Sequence, residues 1–338
     1  MTVLSLIIGI IAVILIIFWG TDAMHVFGPV LSRRLGLSLG VDPVMSKACN
    51  WNCVYCQLGP TFPRVGERKR FCTPESVLDE IRSQLDVQRD KPIDWVTFVG
   101  SGETMLSSDI GEMIRDLKHM TEIPVAVITN GSFLGDAKAA EELSMADAVL
   151  PTLDAGSKEL YWRINRPLPA FSYDRHVEGL KTFKATYRGK FWLEVMLIKG
   201  LNDDENAINQ LTDAIAGIAP DEVHLLVPTR PPAEEWVRPA DDEALLNAAS
   251  IISRVCRVLT PSEPLQDLGA FEGNLPEALK AIVRRHPLRE EALTYFLERY
   301  GKEEAERLLD LIKKSGNIKV IERMGIRFLV DSSSRHSS

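Results

Sequence analysis

The sequence predicts a parallel α/β domain, an open partial barrel of six strand–helix units, with a small helical module behind it. Three observations lead there. Apolar runs at 39–44, 95–99, 125–129, 148–153, 191–198 and 222–227 alternate with stretches of helical spacing. The runs are continuous rather than alternating, as strands covered on both faces should be. Polar signatures fall at the C-terminal ends of the runs, where such barrels keep their working residues, and six units suit an open sheet better than a closed eightfold ring.

Residues 1–21 carry no charged side chain, and 3–19 are nearly all aliphatic. A bilayer takes about 20 apolar residues, so the stretch is long enough to span one. It lacks the basic start and small-residue cleavage site of a secretory signal. Arg33 and Arg34 follow on its C-terminal side, which favours a cytoplasmic body. Residues 1–23 are therefore expected to form an apolar helix that anchors the chain to a membrane. The alternative is a start codon placed too early, with translation beginning at Met24.

The barrel domain is expected at 24–260. Thr73 is placed to N-cap a helix with Pro74 in its first turn and Val77, Leu78, Ile81 and Leu85 along one face. Further helices are expected at 109–119, 136–143, 173–185, 204–218 and 241–255. Residues 261–274 read as a turn-rich linker. Helices at 275–283, 289–300 and 302–315, with a hairpin at 318–322 and 326–330, describe a winged-helix-like domain over 275–331. The tail 332–338 reads as disordered.

A formal charge of −8 over 338 residues excludes a surface given over wholesale to nucleic acid. Residues 275–330 are locally basic, with 12 Lys and Arg against 9 Asp and Glu. Of five cysteines, three crowd into eight residues, which suits metal ligation better than a disulfide framework.

Those three form Cys49-Asn-Trp-Asn-Cys53-Val-Tyr-Cys56, with aromatic Tyr55 before the last cysteine. Three thiolates on one loop can hold three irons of a cubane and leave the fourth open to chelate a ligand. A zinc site completed by Cys72 or His25 is the alternative, although no second close cysteine pair exists to build a zinc ribbon.

The spacing, the aromatic residue and the place after the first strand resemble the radical-SAM superfamily. The resemblance implies that Cys49, Cys53 and Cys56 ligate a [4Fe–4S] cluster that reductively cleaves S-adenosylmethionine. A 5′-deoxyadenosyl radical would result, with no catalytic side chain required. It also implies that Gly100-Ser-Gly102-Glu103 is the family's Gly-Gly-Glu element, with Glu103 gripping the cofactor's amino group. Tyr55 would lie against the cofactors, Thr129 and Asn130 at the ribose, Asp154 at a ribose or substrate hydroxyl, and Met196 against adenine. The bland alternatives are a generic turn at Asn130, a helix cap at Asp154 and core packing at Met196.

More narrowly, the stretch 25–36, Cys56-Gln-Leu-Gly, Val99-Gly-Ser-Gly-Glu and Pro228-Thr-Arg-Pro-Pro resemble small Fe–S oxidoreductases related to 4-demethylwyosine synthase. The second cluster motif of that enzyme has no counterpart here, so wyosine formation is not assigned. Arg163, Arg166, Lys199 and Arg230 follow strand ends and are expected at the barrel mouth, facing an anionic substrate. Arg64, Arg68, Lys69 and Arg70 form a second basic loop. An RNA base or a protein segment is the expected substrate, and a flavodoxin or ferredoxin the expected electron donor. A non-enzymatic Fe–S or zinc regulator acting through the winged helix is the competing reading. Such a sensor has no use for the Glu103 element or an arginine-lined mouth.

Overall fold

The half-barrel follows from a sheet wound in one direction. In a computed structural model, residues 24–32, 34–44, 47–88, 93–260, 275–298, 302–314, 316–323 and 325–333 are described. The apolar segment 1–23, the linker 261–274 and residues 334–338 of the tail lie outside them. Among the described residues no helix is long and apolar enough to cross a membrane.

Eight strands lie side by side in chain order: β1 (Val26–Ser32), β2 (Gly36–Val41), β3 (Trp95–Phe98), β4 (Val125–Thr129), β5 (Ala148–Pro151), β6 (Lys190–Met196), β7 (Glu222–Leu226) and β8 (Val258–Leu259). β1 pairs antiparallel with β2, and every later neighbour is parallel. The crossovers carry α1 (Pro74–Val87), α2 (Ile110–Met120), α3 (Ala137–Leu143), α4 (Lys158–Ile164), α5 (Tyr173–Thr186), α6 (Glu205–Ile218) and α7 (Asp242–Ile252). Parallel strands joined one after another by helices, all in the same sense, curl into a half-barrel.

The six expected strands are β2 to β7. Three elements were not legible. β1 contains Gly28-Pro29, which reads as a turn, and its pairing is bulged between Phe27 and Val30. β8 is two residues long, and α4 is seven, too short for a clear period. The first expected strand moves from 39–44 to Gly36–Val41, because Asp42 turns the chain and accepts the Val44 amide at 3.1 Å.

Local chemistry explains the helices. Thr73 caps α1 by accepting the Ser76 amide, Pro74 starts it, and Val77 and Ile81 are buried. Asp204 caps α6 in the same way through Ala207. Strand residues alternate between two cores with a period of two. Val96, Phe98, Val127, Val149, Leu193 and Leu225 face the helices. Ala126, Ala148, Leu150 and Leu35 pack inside the half-barrel with Trp95 and Trp192, near the strands' N-terminal ends. The C-terminal ends remain free for a site.

The C-terminal module contains α8 (Leu275–Arg285), β9 (Leu288–Arg289), α9 (Glu290–Leu297), α10 (Lys302–Lys314), β10 (Ile318–Arg323) and β11 (Ile326–Asp331). The three expected helices and the hairpin are present, and β9 adds a third antiparallel strand in the order β10-β11-β9. The module is built into the barrel. Phe27 of β1 belongs to its apolar cluster with Leu279, Ile282 and Leu293. Arg285 Nε donates to Asp42 Oδ2 at 2.9 Å, the two side chains being 2% and 0% exposed. Its other nitrogens reach Met24 O at 2.6 Å and Ala281 O at 2.8 Å.

Removing one partner of a buried ion pair strands the other charge, at a cost of about 3–5 kcal/mol. Arg285→Met is therefore expected to lower unfolding stability by about that much in urea titration. A loss within ~1 kcal/mol, the level of an exposed pair, would contradict the latch.

Candidate active site

The cysteine loop follows β2, and its other residues are fastened so that the thiols turn one way. Trp51 is buried edge-on to Tyr161 at 5.3 Å and to His176 at 5.2 Å. Val54 is buried with Ile164, Ile198 and Val237. The backbone amides of Asn52 and Val54 donate to the carbonyls of Asn165 and Ile164 at 3.0 and 2.9 Å. Asn50 donates to Ser132 Oγ and accepts from Asn130 Nδ2, both at 2.7 Å.

Cys49, Cys53 and Cys56 thereby line one cavity of about 250 Å³. Each sulfur has a donor beside it. Trp51 N lies 3.4 Å from Cys49 Sγ, Asn165 Nδ2 3.7 Å from Cys53 Sγ, and Lys47 Nζ 3.5 Å from Cys56 Sγ. Burial, then the Glu103 charge, pushes the Cys49 thiol up to about 12. Burial, then Cys49 and Asp154, drives Cys53 well above its ordinary range. Such thiols ionise when a bound cation offsets the desolvation.

The zinc alternative does not fit. Zn–S bonds of about 2.3 Å need ligands converging on one point. Among the described residues no three His, Cys, Asp or Glu side chains do so. Cys72 Sγ instead points at Pro43 O, 3.5 Å away, and His25 Nδ1 lies 3.2 Å from Asp42 O. Three thiols spread around a roomy cavity suit a polynuclear centre with an open iron.

Of the eight expected cofactor-contacting residues, Tyr55, Gly100, Gly102, Glu103, Thr129, Asn130 and Met196 line the same cavity. Glu103 is 2% exposed. It accepts from Met105 N at 2.9 Å, from Thr129 Oγ1, and from Asn130 N at 2.7 Å. All three donors are neutral, and no described residue forms an ion pair with it. Burial accordingly raises its pKa. Gly102 holds this strap under the cysteine loop: a Cβ there would lie 1.7 Å from Ala48 O, so only glycine fits. At Gly100 the nearest atom would be 3.4 Å away, so the expected need for glycine there is not met.

Thr129 and the Asn130 backbone are occupied with Glu103, and the Asn130 amide with Asn50 and Cys49. Asp154 lies behind the cavity rather than in it. It caps no helix, since Ser157 caps α4. It accepts from Tyr55 Oη and Asn165 Nδ2 at 2.6 Å and from Met196 N at 2.8 Å, and burial pushes its pKa up to about 6.

The four basic residues expected at one mouth divide. Arg230 lines the cysteine cavity and donates to Gln57 Oε1 at 2.9 Å. Arg163, Arg166 and Lys199 line a separate outer recess beside Trp236. Acidic residues hold two of them there: Arg166 pairs with Glu234, and Lys199 with Asp241 at 3.2 Å. In the second basic loop, Arg68 binds Met105 O at 2.7 Å and Glu142, and Arg70 binds Asp109 at 2.6 Å. Asn50, Asn165, Lys47 and Asp42 were missed: Asn50, Asn165 and Asp42 act through partners far away in sequence, and Lys47, nine residues before Cys56, belongs to no motif.

Comparison with known proteins agrees with this geometry. The model of the Radical SAM superfamily matches residues 44–211. A UPF0026 protein of Methanocaldococcus jannaschii is 31% identical over 283 residues, 81% of this chain and 86% of that protein. The chain belongs to the radical SAM superfamily, in its UPF0026 family. A protein named GTPase Obg from Brachyspira hyodysenteriae is 32% identical over 290 residues, 86% of this chain, which spans only 42% of that protein's length. A radical SAM methyltransferase from Sphaerobacter thermophilus shares the fold at a TM-score of 0.52 and 16% identity, over 66% of this chain and 65% of that one.

Radical SAM proteins bind a [4Fe–4S] cluster and S-adenosylmethionine. The residues present fit both groups: three half-buried thiols around open space, and a buried carboxylate with which no described residue forms an ion pair, in a strap where Gly102 admits no side chain.

Two outcomes follow from the site. Glu103→Gln is expected to weaken S-adenosylmethionine binding by about tenfold or more in calorimetry, with iron content unchanged. Unchanged affinity would remove Glu103 from the cofactor site. His176 lies under the loop with its pKa lowered to about 4, mainly by burial. Its folded value is below the unfolded one of about 6.5, so the unfolded chain binds the extra proton between them. The stability from neutral His176 is present above that window and lost as pH falls through it, on the order of 3 kcal/mol. In urea midpoints, His176→Gln should narrow its deficit against the parent as pH falls from about 6.5 to 4; Asp154 is common to both and cancels. A constant difference would contradict this assignment.

Proposed function

We propose that this chain is a radical SAM enzyme in which Cys49, Cys53 and Cys56 hold the [4Fe–4S] cluster and act on an anionic substrate admitted beside Arg230. When bound, the cluster and S-adenosylmethionine supply one-electron reductive cleavage of the sulfonium to a 5′-deoxyadenosyl radical, which takes a hydrogen atom from substrate. One observation carries the reading: three half-buried thiols and the buried carboxylate of Glu103, with which no described residue forms an ion pair, line the same cavity.

The chain's own residues bind, orient and exclude water. Glu103 is placed for the ammonium of the cofactor, and the Gly102 strap lets backbone approach it. Met196, Ile128 and Val99 give an apolar wall. Asp154 holds Tyr55 and Asn165 in place behind the thiols. Lys47, beside Cys56, supplies a positive charge next to the anionic cluster ligands. A small one-electron carrier of the flavodoxin or ferredoxin kind suits the reduction. The helix–strand–helix–helix–hairpin order of the C-terminal module supports a winged-helix-like reading, with one side packed on the barrel.

Anaerobically reconstituted protein, given dithionite and S-adenosylmethionine, is expected to release 5′-deoxyadenosine and methionine, and Cys53→Ala to release neither. Parent protein with a full complement of iron and no 5′-deoxyadenosine would overturn the proposal.

A further inference from the structure

Two side chains from outside the cysteine motif bring N–H groups to two different thiols. Asn165 Nδ2 lies 3.7 Å from Cys53 Sγ, and Lys47 Nζ lies 3.5 Å from Cys56 Sγ. The third thiol, Cys49, is served by the Trp51 amide at 3.4 Å and by Asn130 Nδ2 at 3.8 Å.

Asn165 is held for this contact at a cost. It ends α4, is 0% exposed, and has both backbone groups engaged, its N–H with Tyr161 O at 2.9 Å and its carbonyl with Asn52 N at 3.0 Å. Asp154 Oδ2 orients the side chain by accepting from Nδ2 at 2.6 Å. Asn165 Oδ1 is left buried with no hydrogen-bond partner. Buried acceptors are nearly always satisfied, and leaving one unmet is unfavourable. Turning the amide over would set Oδ1 against the Asp154 carboxylate and the Cys53 sulfur, acceptor against acceptor. The fold gives up one acceptor to keep N–H on both.

Lys47 differs in kind. It lines the cysteine cavity, and no carboxylate among the described residues pairs with it. Its ammonium brings a full charge to Cys56, where Asn165 brings only a dipole to Cys53. The negative charges of Glu103 and Asp154 act on Cys49 and Cys53 in the opposite sense. An electron taken up by a cluster on three thiolates adds negative charge away from bulk water. A cation or an N–H group on a ligand sulfur stabilises that state, and hydrogen bonds to the sulfurs are among the factors that set cluster potentials.

Resting on the reading that these thiols hold the [4Fe–4S] cluster, we propose that Lys47 and Asn165 raise its reduction potential, Lys47 by its charge at Cys56 and Asn165, as a positioning residue, by its N–H at Cys53. The step concerned moves one electron from the carrier, which is oxidised, to the cluster, which is reduced. No bond forms or breaks, and no proton moves. The two residues thereby set how strong a reductant the carrier must be.

The test is potentiometry of anaerobically reconstituted protein without S-adenosylmethionine, with dithionite as reductant. The reduced cluster is read by electron paramagnetic resonance, and iron is counted on each sample. Lys47→Met and Asn165→Leu are each expected to keep about four irons. Each should make reduction about tenfold less favourable, a fall of about 59 mV for one electron. Lys47→Arg, which keeps the charge, should hold the parent potential; a fall as large as that of Lys47→Met would overturn the part given to the charge. A potential equal to or above the parent's in Lys47→Met or Asn165→Leu, with iron retained, would overturn the proposal for that residue. So would loss of the cluster, which would make its role structural. If the parent itself assembles no [4Fe–4S] cluster, the reading beneath fails and the proposal with it; a cluster of unchanged potential fails the proposal alone.

Discussion

Glu103 is a carboxylate held in the interior by three neutral donors, and much of the site is arranged around that burial. An isolated buried charge is costly unless a counter-charge or hydrogen bonds offset it. Here Thr129, Asn130 and Met105 supply the hydrogen bonds, and no described residue forms an ion pair with the carboxylate. The thiols share the constraint from the other side. Burial and their neighbours favour the neutral thiol at Cys49 and Cys53, so their ionisation is coupled to a bound cation. Binding is thus the event that completes this interior electrostatically.

Asp42 connects the site to the rest of the molecule. Its carboxylate accepts from Ser101 Oγ in the glycine strap at 2.5 Å and from Arg285 in the C-terminal module at 2.9 Å. Gln57, next to Cys56, reaches the same module and Arg230. The strap under Glu103, the loop that carries the cysteines and the C-terminal module are therefore tied to one another by polar contacts, buried at Asp42 and part-buried at Gln57. A half-barrel has an open side, and this chain closes it with its own β1 and α8. The C-terminal module is a wall of the interior as well as a domain with its own core.

Much of this was legible in the sequence, for reasons that differ by element. The parallel strands announce themselves as apolar runs because both faces are covered. The cysteine motif is readable because its ligands lie on one loop, and Gly102-Glu103 because a glycine strap directly follows a strand. Asn165 beside Cys53 is 112 residues from it in sequence, and Arg285 is 243 from Asp42; no local pattern encodes such contacts. Arg166 and Lys199 follow strand ends, as the topology required. Their side chains point outward because Glu234 and Asp241 wait there, a choice that chain order does not contain. β1 was hidden by its Gly28-Pro29.

The cysteine cavity, which Glu103 also lines, is proposed to hold a [4Fe–4S] cluster with one open iron. Electron paramagnetic resonance of the anaerobically reconstituted, reduced protein tests it most directly, with iron quantified on the same sample. About four irons per chain and a [4Fe–4S] signal that shifts on adding S-adenosylmethionine are predicted. A single iron or zinc per chain, or a cluster signal indifferent to S-adenosylmethionine, would contradict the account.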